Sequence, residues 1–224
     1  MTPVGNAELV VVGDLHGQAD KLAKVLETYV GRAGKLIFVG DYVNRGPDSR
    51  GVLDLLSQAR REMGDDLILL RGNHDQVLMD FLATGKPCRL MAHGGIHTIS
   101  SYHSAIENNI LDRFIEKFPP SHRALLEETL PYYEVPGILV SHAGFAPARP
   151  RSRNPNDMFL TSHKDLFQHT GPWPAPLTVC GHYVQTDGRP AALERLWCLD
   201  TGCGTFPDAP LTVLELEELR TIQF

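Results

Sequence analysis

The chain has 224 residues, 42% hydrophobic and 21% charged, enough for one sizeable core or at most two small domains of a globular protein. Its formal net charge of −6 argues against a general nucleic-acid binder. No stretch approaches the ~20 apolar residues that span a bilayer. The start, Met1 to Glu8, lacks the basic and apolar segments of a signal peptide, so the expectation is a cytoplasmic protein with no membrane partner.

In chain order, Leu9–Val12 is a short apolar run that stops at Gly13-Asp14-Leu15-His16-Gly17. Residues 18–30 then place Leu22, Val25, Leu26 and Tyr29 at helical spacing before Gly31. A second run from Lys35 to Val39 ends in Gly40-Asp41-Tyr42-Val43-Asn44-Arg45-Gly46, and Asp48-Ser49 offers an N-cap to a helix carrying Val52, Leu53, Leu55, Leu56 and Ala59. A third, Leu67 to Leu70, ends in Arg71-Gly72-Asn73-His74-Asp75 ahead of a helix through Val77, Leu78, Phe81 and Leu82. Alternating strands and helices of this kind predict a mainly parallel sheet.

From Thr84 to Pro131 the pattern changes. Residues 88–103 read as mixed, with His93 as a loop residue beside Gly94-Gly95, and two helical segments follow at Ile106–Phe118 and Ser121–Leu130. The expectation is a helical cap or insertion, about residues 85–131, within one domain spanning 1–224. Strands resume at Ile138–Val140, Leu177–Cys180, Leu196–Leu199 and Leu211–Leu216, the first two separated by a long loop from Phe145 to Pro176. Cys88, Cys180, Cys198 and Cys203 form no C-x-x-C pair and read as small hydrophobes.

The chemistry lies at the strand ends. Besides Asp14, His16, Asp41, Asn73 and His74, the fourth and fifth runs end in Ser141-His142-Ala143-Gly144 and Gly181-His182. Ligands of open α/β sheets gather at strand carboxyl ends, so five such junctions point to one site. Carboxylate, imidazole and a single amide suit manganese, iron or zinc, and the near absence of thiolate argues against a structural zinc finger. Asp14, His16, Asp41, Asn73, His142 and His182 are too many for one tetrahedral ion but enough for two divalent ions sharing Asp41. Arg45 and Arg71 adjoin these motifs and read as phosphate clamps, since guanidinium forks match phosphate oxygens. His74 is placed as a general acid for the leaving alkoxide.

The order GDLHG, GDYVNRG, GNHD, SHAG, GH resembles the phosphoprotein-phosphatase branch of the calcineurin-like metallophosphoesterases, whose pattern is GDxHG, GDxVDRG, GNHE, HxG, GH. The motifs span residues 13–182, and Leu199-Asp200-Thr201-Gly202 is similar to a further family segment. The resemblance implies an α/β fold, a central β-sandwich flanked by helices. It implies Asp14, His16 and Asp41 on one metal and Asp41, Asn73, His142 and His182 on the other. Arg45 and Arg71 would grip phosphate while His74 protonates the leaving group. The implied reaction is direct attack on phosphorus by hydroxide shared between the metals, without a phosphoenzyme. The short chain looks more like bacterial and phage serine/threonine phosphatases, or diadenosine tetraphosphatases, than eukaryotic catalytic subunits. A phosphorylated protein or a small phosphoester is therefore the expected partner.

Two positions depart from the family pattern. Asn44 stands where the family has Asp; it can accept a hydrogen bond from His74 but cannot stabilise the imidazolium, which predicts a preference for activated aryl esters or, at the extreme, a phosphate-binding protein with weakened catalysis. The segment Phe159 to Phe167 lacks the family's further arginine. His163, Lys164 or one of Arg149, Arg151 and Arg153 could replace it. A dinucleoside polyphosphate substrate would need a basic or aromatic pocket, for which Arg149–Arg153, Tyr102 and Trp173 are the available residues.

Overall fold

Alternation along short strands sorts their side chains between two packing layers. The protein is described by a computed structural model covering residues 8–103 and 109–224. Its first part runs β1 (Leu9–Val12), α1 (Ala19–Tyr29), β2 (Lys35–Phe38), α2 (Ser49–Met63), β3 (Leu67–Leu69) and α3 (Asn73–Thr84). Four helices follow: α4 (Cys88–Ala92), α5 (Gly95–Tyr102), α6 (Ile110–Lys117) and α7 (Pro120–Glu127). The remainder is β4 (Tyr132–Val135), β5 (Ile138–Ser141), β6 (Leu177–Cys180), β7 (Ala191–Ala192), β8 (Leu196–Cys198), β9 (Thr212–Glu215) and β10 (Arg220–Gln223).

The strands form two five-stranded sheets, ordered β10-β9-β1-β2-β3 and β4-β5-β6-β8-β7. Each has a parallel centre, β1-β2-β3 and β5-β6-β8, with antiparallel strands at the margins. Successive residues point to opposite faces. Val10, Val12, Leu36 and Phe38 face α1 to α3, while Val11, Ile37 and Val39 meet Val140, Val179 and Leu199 of the second sheet. Leu139, Cys180, Leu196 and Cys198 face outward, where Phe145, Met158 and Leu166 of the long loop cover them. The result is a two-sheet sandwich with helices packed on its outer face.

Several local expectations are revised. Residues 88–103 are largely helical, in α4 and α5, because Leu90, Thr98 and Ile99 are buried along one side. The start of the expected Ile106–Phe118 helix lies outside the described residues, as do residues 1–7. Three strands carry no clean apolar pattern in the sequence: β4 and β10 are half-exposed, and β7 has two residues. The buried residues of α5 to α7 join the same layer as α1 to α3. Tyr102 is committed there, its hydroxyl 2.7 Å from His122 Nδ1, whose Nε2 lies 3.0 Å from Asp54. Trp173 packs on Phe145 with the Arg195 guanidinium over its ring, so neither aromatic is free to stack on a base.

Candidate active site

Both parallel centres direct their strand ends to one edge of the sandwich. Asp14 and His16 follow β1, Asp41 follows β2, Asn73 and His74 open α3 after β3, His142 follows β5 and His182 follows β6. The loops are tied together before any side chain acts. Leu15 and His16 N–H groups donate to the Asp41 carbonyl, and the Asp75 carboxylate accepts from the N–H groups of Asp41, Tyr42 and Gly72 at 2.8–2.9 Å. The close approach requires glycine: a Cβ on Gly181 would overlap the Asp14 carboxylate, and one on Gly72 that of Asp41. His16, Asp41, Asn44, Arg45 and His182 all have left-handed φ between 40° and 70°. Such backbone costs about 1–3 kcal/mol per residue and concentrates at functional sites.

Asp41 is the hub. Its Oδ2 lies 3.5 Å from His16 Nε2, 3.5 Å from His142 Nε2 and 3.9 Å from His74 Nε2, and its Oδ1 accepts the His74 backbone N–H at 2.9 Å. Asn73 Oδ1 lies 3.0 Å from His142 Nε2 and 2.9 Å from His182 Nδ1, and those two nitrogens are 3.2 Å apart. The Asp14 carboxylate accepts the His182 N–H at 3.2–3.3 Å. Two groups bring ligand atoms within 4.8 Å of one another: His16, Asp41 and His74, and Asp14, Asp41 and His142. Asp41 belongs to both. This grouping pairs Asp14 with His142 and adds His74, whereas the motif order allots Asp14 with His16.

Charge makes this edge a place for cations. Burial, then Asp200 and Asp41, hold the Asp14 carboxyl well above its usual range; burial, then Asp75, does the same to Asp41. Burial pushes Asp75 and Asp200 up to about 6. It drives His16 down to about 3 and His182 to about 4, and depresses His74 and His142 strongly. Neutral imidazoles and crowded carboxylates, with Asp200 Oδ2 left unpartnered, are a donor set that fits divalent cations.

Arg45 and His74 stand beside the hub. Arg45 Nη1 is 2.9 Å from His16 Nε2 and donates to Thr205 Oγ1 at 2.7 Å, while Nη2 is 3.1 Å from His74 Nε2. Asn44 meets His74 in the opposite sense to that expected. Its Nδ2 lies 3.1 Å from His74 Nδ1, because Oδ1 accepts from Thr98 Oγ1 at 2.8 Å. Asn44 therefore presents a donor to the ring. Arg71 is not brought to the hub: its guanidinium donates to Thr129 Oγ1, Gln76 Oε1 and the Leu126 and Glu127 carbonyls at the end of α7. Arg149 pairs with Asp157, Arg153 with Glu134, and His163 Nε2 with the Asp157 carbonyl.

Sequence reading passed over Asp75, which clasps two loops, and over Thr98, which accepts the Asn44 N–H together with Ser49, read only as part of an N-cap. It also passed over Ser162, whose Oγ lies 2.5 Å from His182 Nε2. His93, read as a loop residue, lies edge-on to His74 with ring centroids 5.0 Å apart. Nothing in its local pattern marks it.

The family model for calcineurin-like phosphoesterases matches residues 7–203. The chain belongs to that family. It is 36% identical over 87 residues to serine/threonine-protein phosphatase 1 of Salmonella typhimurium, covering 38% of each chain. It is 28% identical over 148 residues to the bis(5'-nucleosyl)-tetraphosphatase PrpE of Oceanobacillus iheyensis, covering 60% of this chain and 55% of that one. The matches thus span at most about half of these relatives. A solved structure described as a candidate diadenosine tetraphosphatase superposes with a TM-score of 0.66 at 22% identity, covering 99% of this chain and 95% of the other. Among the described residues no helix is long and apolar enough to cross a membrane.

Proposed function

We propose that the chain is a metal-dependent phosphomonoesterase resembling serine/threonine protein phosphatases. The observation carrying this reading is that Asp41, shared by both candidate metal groups, lies 3.9 Å from His74, which in turn lies 3.1 Å from Arg45. Asp14, His16 and Asp41 would hold one ion, and Asp41, Asn73, His142 and His182 the other. Two divalent ions, manganese in our reading with iron or zinc as alternatives, would supply charge neutralisation and water activation when bound.

The chain's own groups do the rest. Arg45 already points a guanidinium at the hub, and a phosphoryl group would replace His16 and His74 as its acceptors. His74, the residue after Asn73 in the first turn of α3, would deliver a proton to the leaving oxygen. Arg71 would have to release its bonds to α7 before reaching phosphate, so phosphate is placed on Arg45 and Arg71 braces the loop. Hydrolysis of a dinucleoside polyphosphate is the second reading, favoured by the similarity to PrpE over 148 residues.

A panel of phosphopeptides, p-nitrophenyl phosphate, nucleotides and dinucleoside tetraphosphate, each with Mn²⁺ and after chelation, tests this. Metal-dependent release of phosphate from monoesters is expected. Faster cleavage of the dinucleoside tetraphosphate would favour the second reading, and no turnover above background would favour a phosphate-binding protein.

A further inference from the structure

His74 is 2% exposed, and besides the buried Asp41 carboxylate, 3.9 Å from Nε2, four groups cover it. The Asn44 amide faces Nδ1, Arg45 Nη2 faces Nε2, and the rings of His16 and His93 stand 4.7 Å and 5.0 Å away. Asn44 and His16 are fully buried; Arg45 and His93 are only partly so. Among these covering groups, solvent therefore reaches the neighbourhood of His74 past Arg45 or past His93. If Arg45 holds the phosphoryl oxygens, the leaving group, which must touch His74, extends along His93.

His93 is held for such contact. Its Nδ1–H donates to the Arg89 carbonyl at 2.7 Å, which fixes the ring at the end of α4. The next residue, Gly94, has φ of 77° and accepts the Arg45 N–H at 3.4 Å, anchoring the α4–α5 turn to the Arg45 loop. The ring crosses that of His74 at 81°, the edge-to-face arrangement that aromatic groups favour.

We propose that His93 is a specificity-determining residue that packs on the leaving group and selects aryl phosphate esters, phosphotyrosine among protein substrates. The proposal rests on the phosphomonoesterase reading and names its leaving-group class. A phenyl ring has faces and edges to offer His93; a seryl methylene has neither. Aromatic packing of this kind is worth roughly three- to tenfold in binding.

The test compares two peptides of one sequence, carrying phosphotyrosine or phosphoserine, cleaved by the full chain with Mn²⁺. His93→Ala should lower kcat/KM roughly three- to tenfold on phosphotyrosine and less than about twofold on phosphoserine. His93→Phe, which keeps a ring, should recover the phosphotyrosine rate. Calorimetry with phenylphosphonate and methylphosphonate repeats the comparison without turnover, and only phenylphosphonate should weaken in His93→Ala. Equal losses on both peptides, or no recovery in His93→Phe, would overturn the role of His93 while leaving phosphatase activity intact. Failure of the unaltered chain to cleave either peptide would overturn the phosphatase reading and this proposal with it.

Discussion

If the proposed phosphatase reading holds, a carboxylate placed at position 44 should change which leaving groups are cleaved. Asn44 is fully buried, with Nδ2 3.1 Å from His74 Nδ1. A donor at that nitrogen opposes the imidazolium form that a general acid needs. In Asn44→Asp, Thr98 can still donate to one carboxylate oxygen, and the other can accept from His74 Nδ1–H. Opposite charges whose centres are ~4 Å apart interact by about 4 kcal/mol at an effective dielectric of about 20. Holding a buried carboxylate ionised offsets part of that. If about half survives, ~2 kcal/mol favours the protonated acid, or about 30-fold. We therefore expect kcat for a phosphoserine peptide to rise about 30-fold in Asn44→Asp. Nitrophenolate leaves without protonation, so p-nitrophenyl phosphate should change by less than about threefold. Steady-state kinetics on both substrates with Mn²⁺ decides the matter. An equal change on the two would refute the assignment of His74 as proton donor under the control of residue 44.

Metal binding should stabilise the protein more at pH 8 than at pH 5. His16 and His182, lowered to about 3 and about 4, contribute stability that is present above the unfolded value of 6.5 and lost as pH falls. The raised carboxyls act in the reverse direction: stability they lend below the unfolded value of 3.8 is gone once pH passes about 6 for Asp75 and Asp200. Cations relieve that carboxylate cost and compete with protons at low pH. Mn²⁺ at about 100 times Kd should thus raise Tm by roughly 5–10 °C at pH 8, and a larger shift at pH 5, read by calorimetry, would contradict the site.

Arg45→Ala should reduce kcat/KM by ~10–100-fold with little loss of Tm. Arg71→Ala should do the reverse, losing about 1–3 kcal/mol of stability as the end of α7 is freed while kcat/KM stays within about threefold. The opposite pattern would move the phosphate to Arg71. Gly181→Ala should abolish metal-dependent stabilisation, because the new methyl displaces the Asp14 carboxylate; an unchanged Mn²⁺ shift in Tm would show that Asp14 is not a ligand.

The strands that end in Asp14, Asp41, Asn73, His142 and His182 were legible because their signals are local. A short apolar run and a glycine are set by neighbours in the chain, and the resemblance then assembled the junctions. In the fold the Asp41 carboxylate lies within 4 Å of His16, His74 and His142. What the sequence did not disclose depends on groups far apart along the chain. Thr98 lies 54 residues from Asn44 yet its hydroxyl decides which end of the amide meets His74. Thr129 and the α7 carbonyls, 55–58 residues from Arg71, draw away a guanidinium that its motif suggested for phosphate. His93 faces His74 only because the α4–α5 turn packs on the Arg45 loop. The sequence by itself determined which residue types stand at the strand ends. Tertiary packing alone decided where their hydrogen bonds go, since an amide, a guanidinium or an imidazole takes its direction from whichever buried partner the fold brings within about 3 Å.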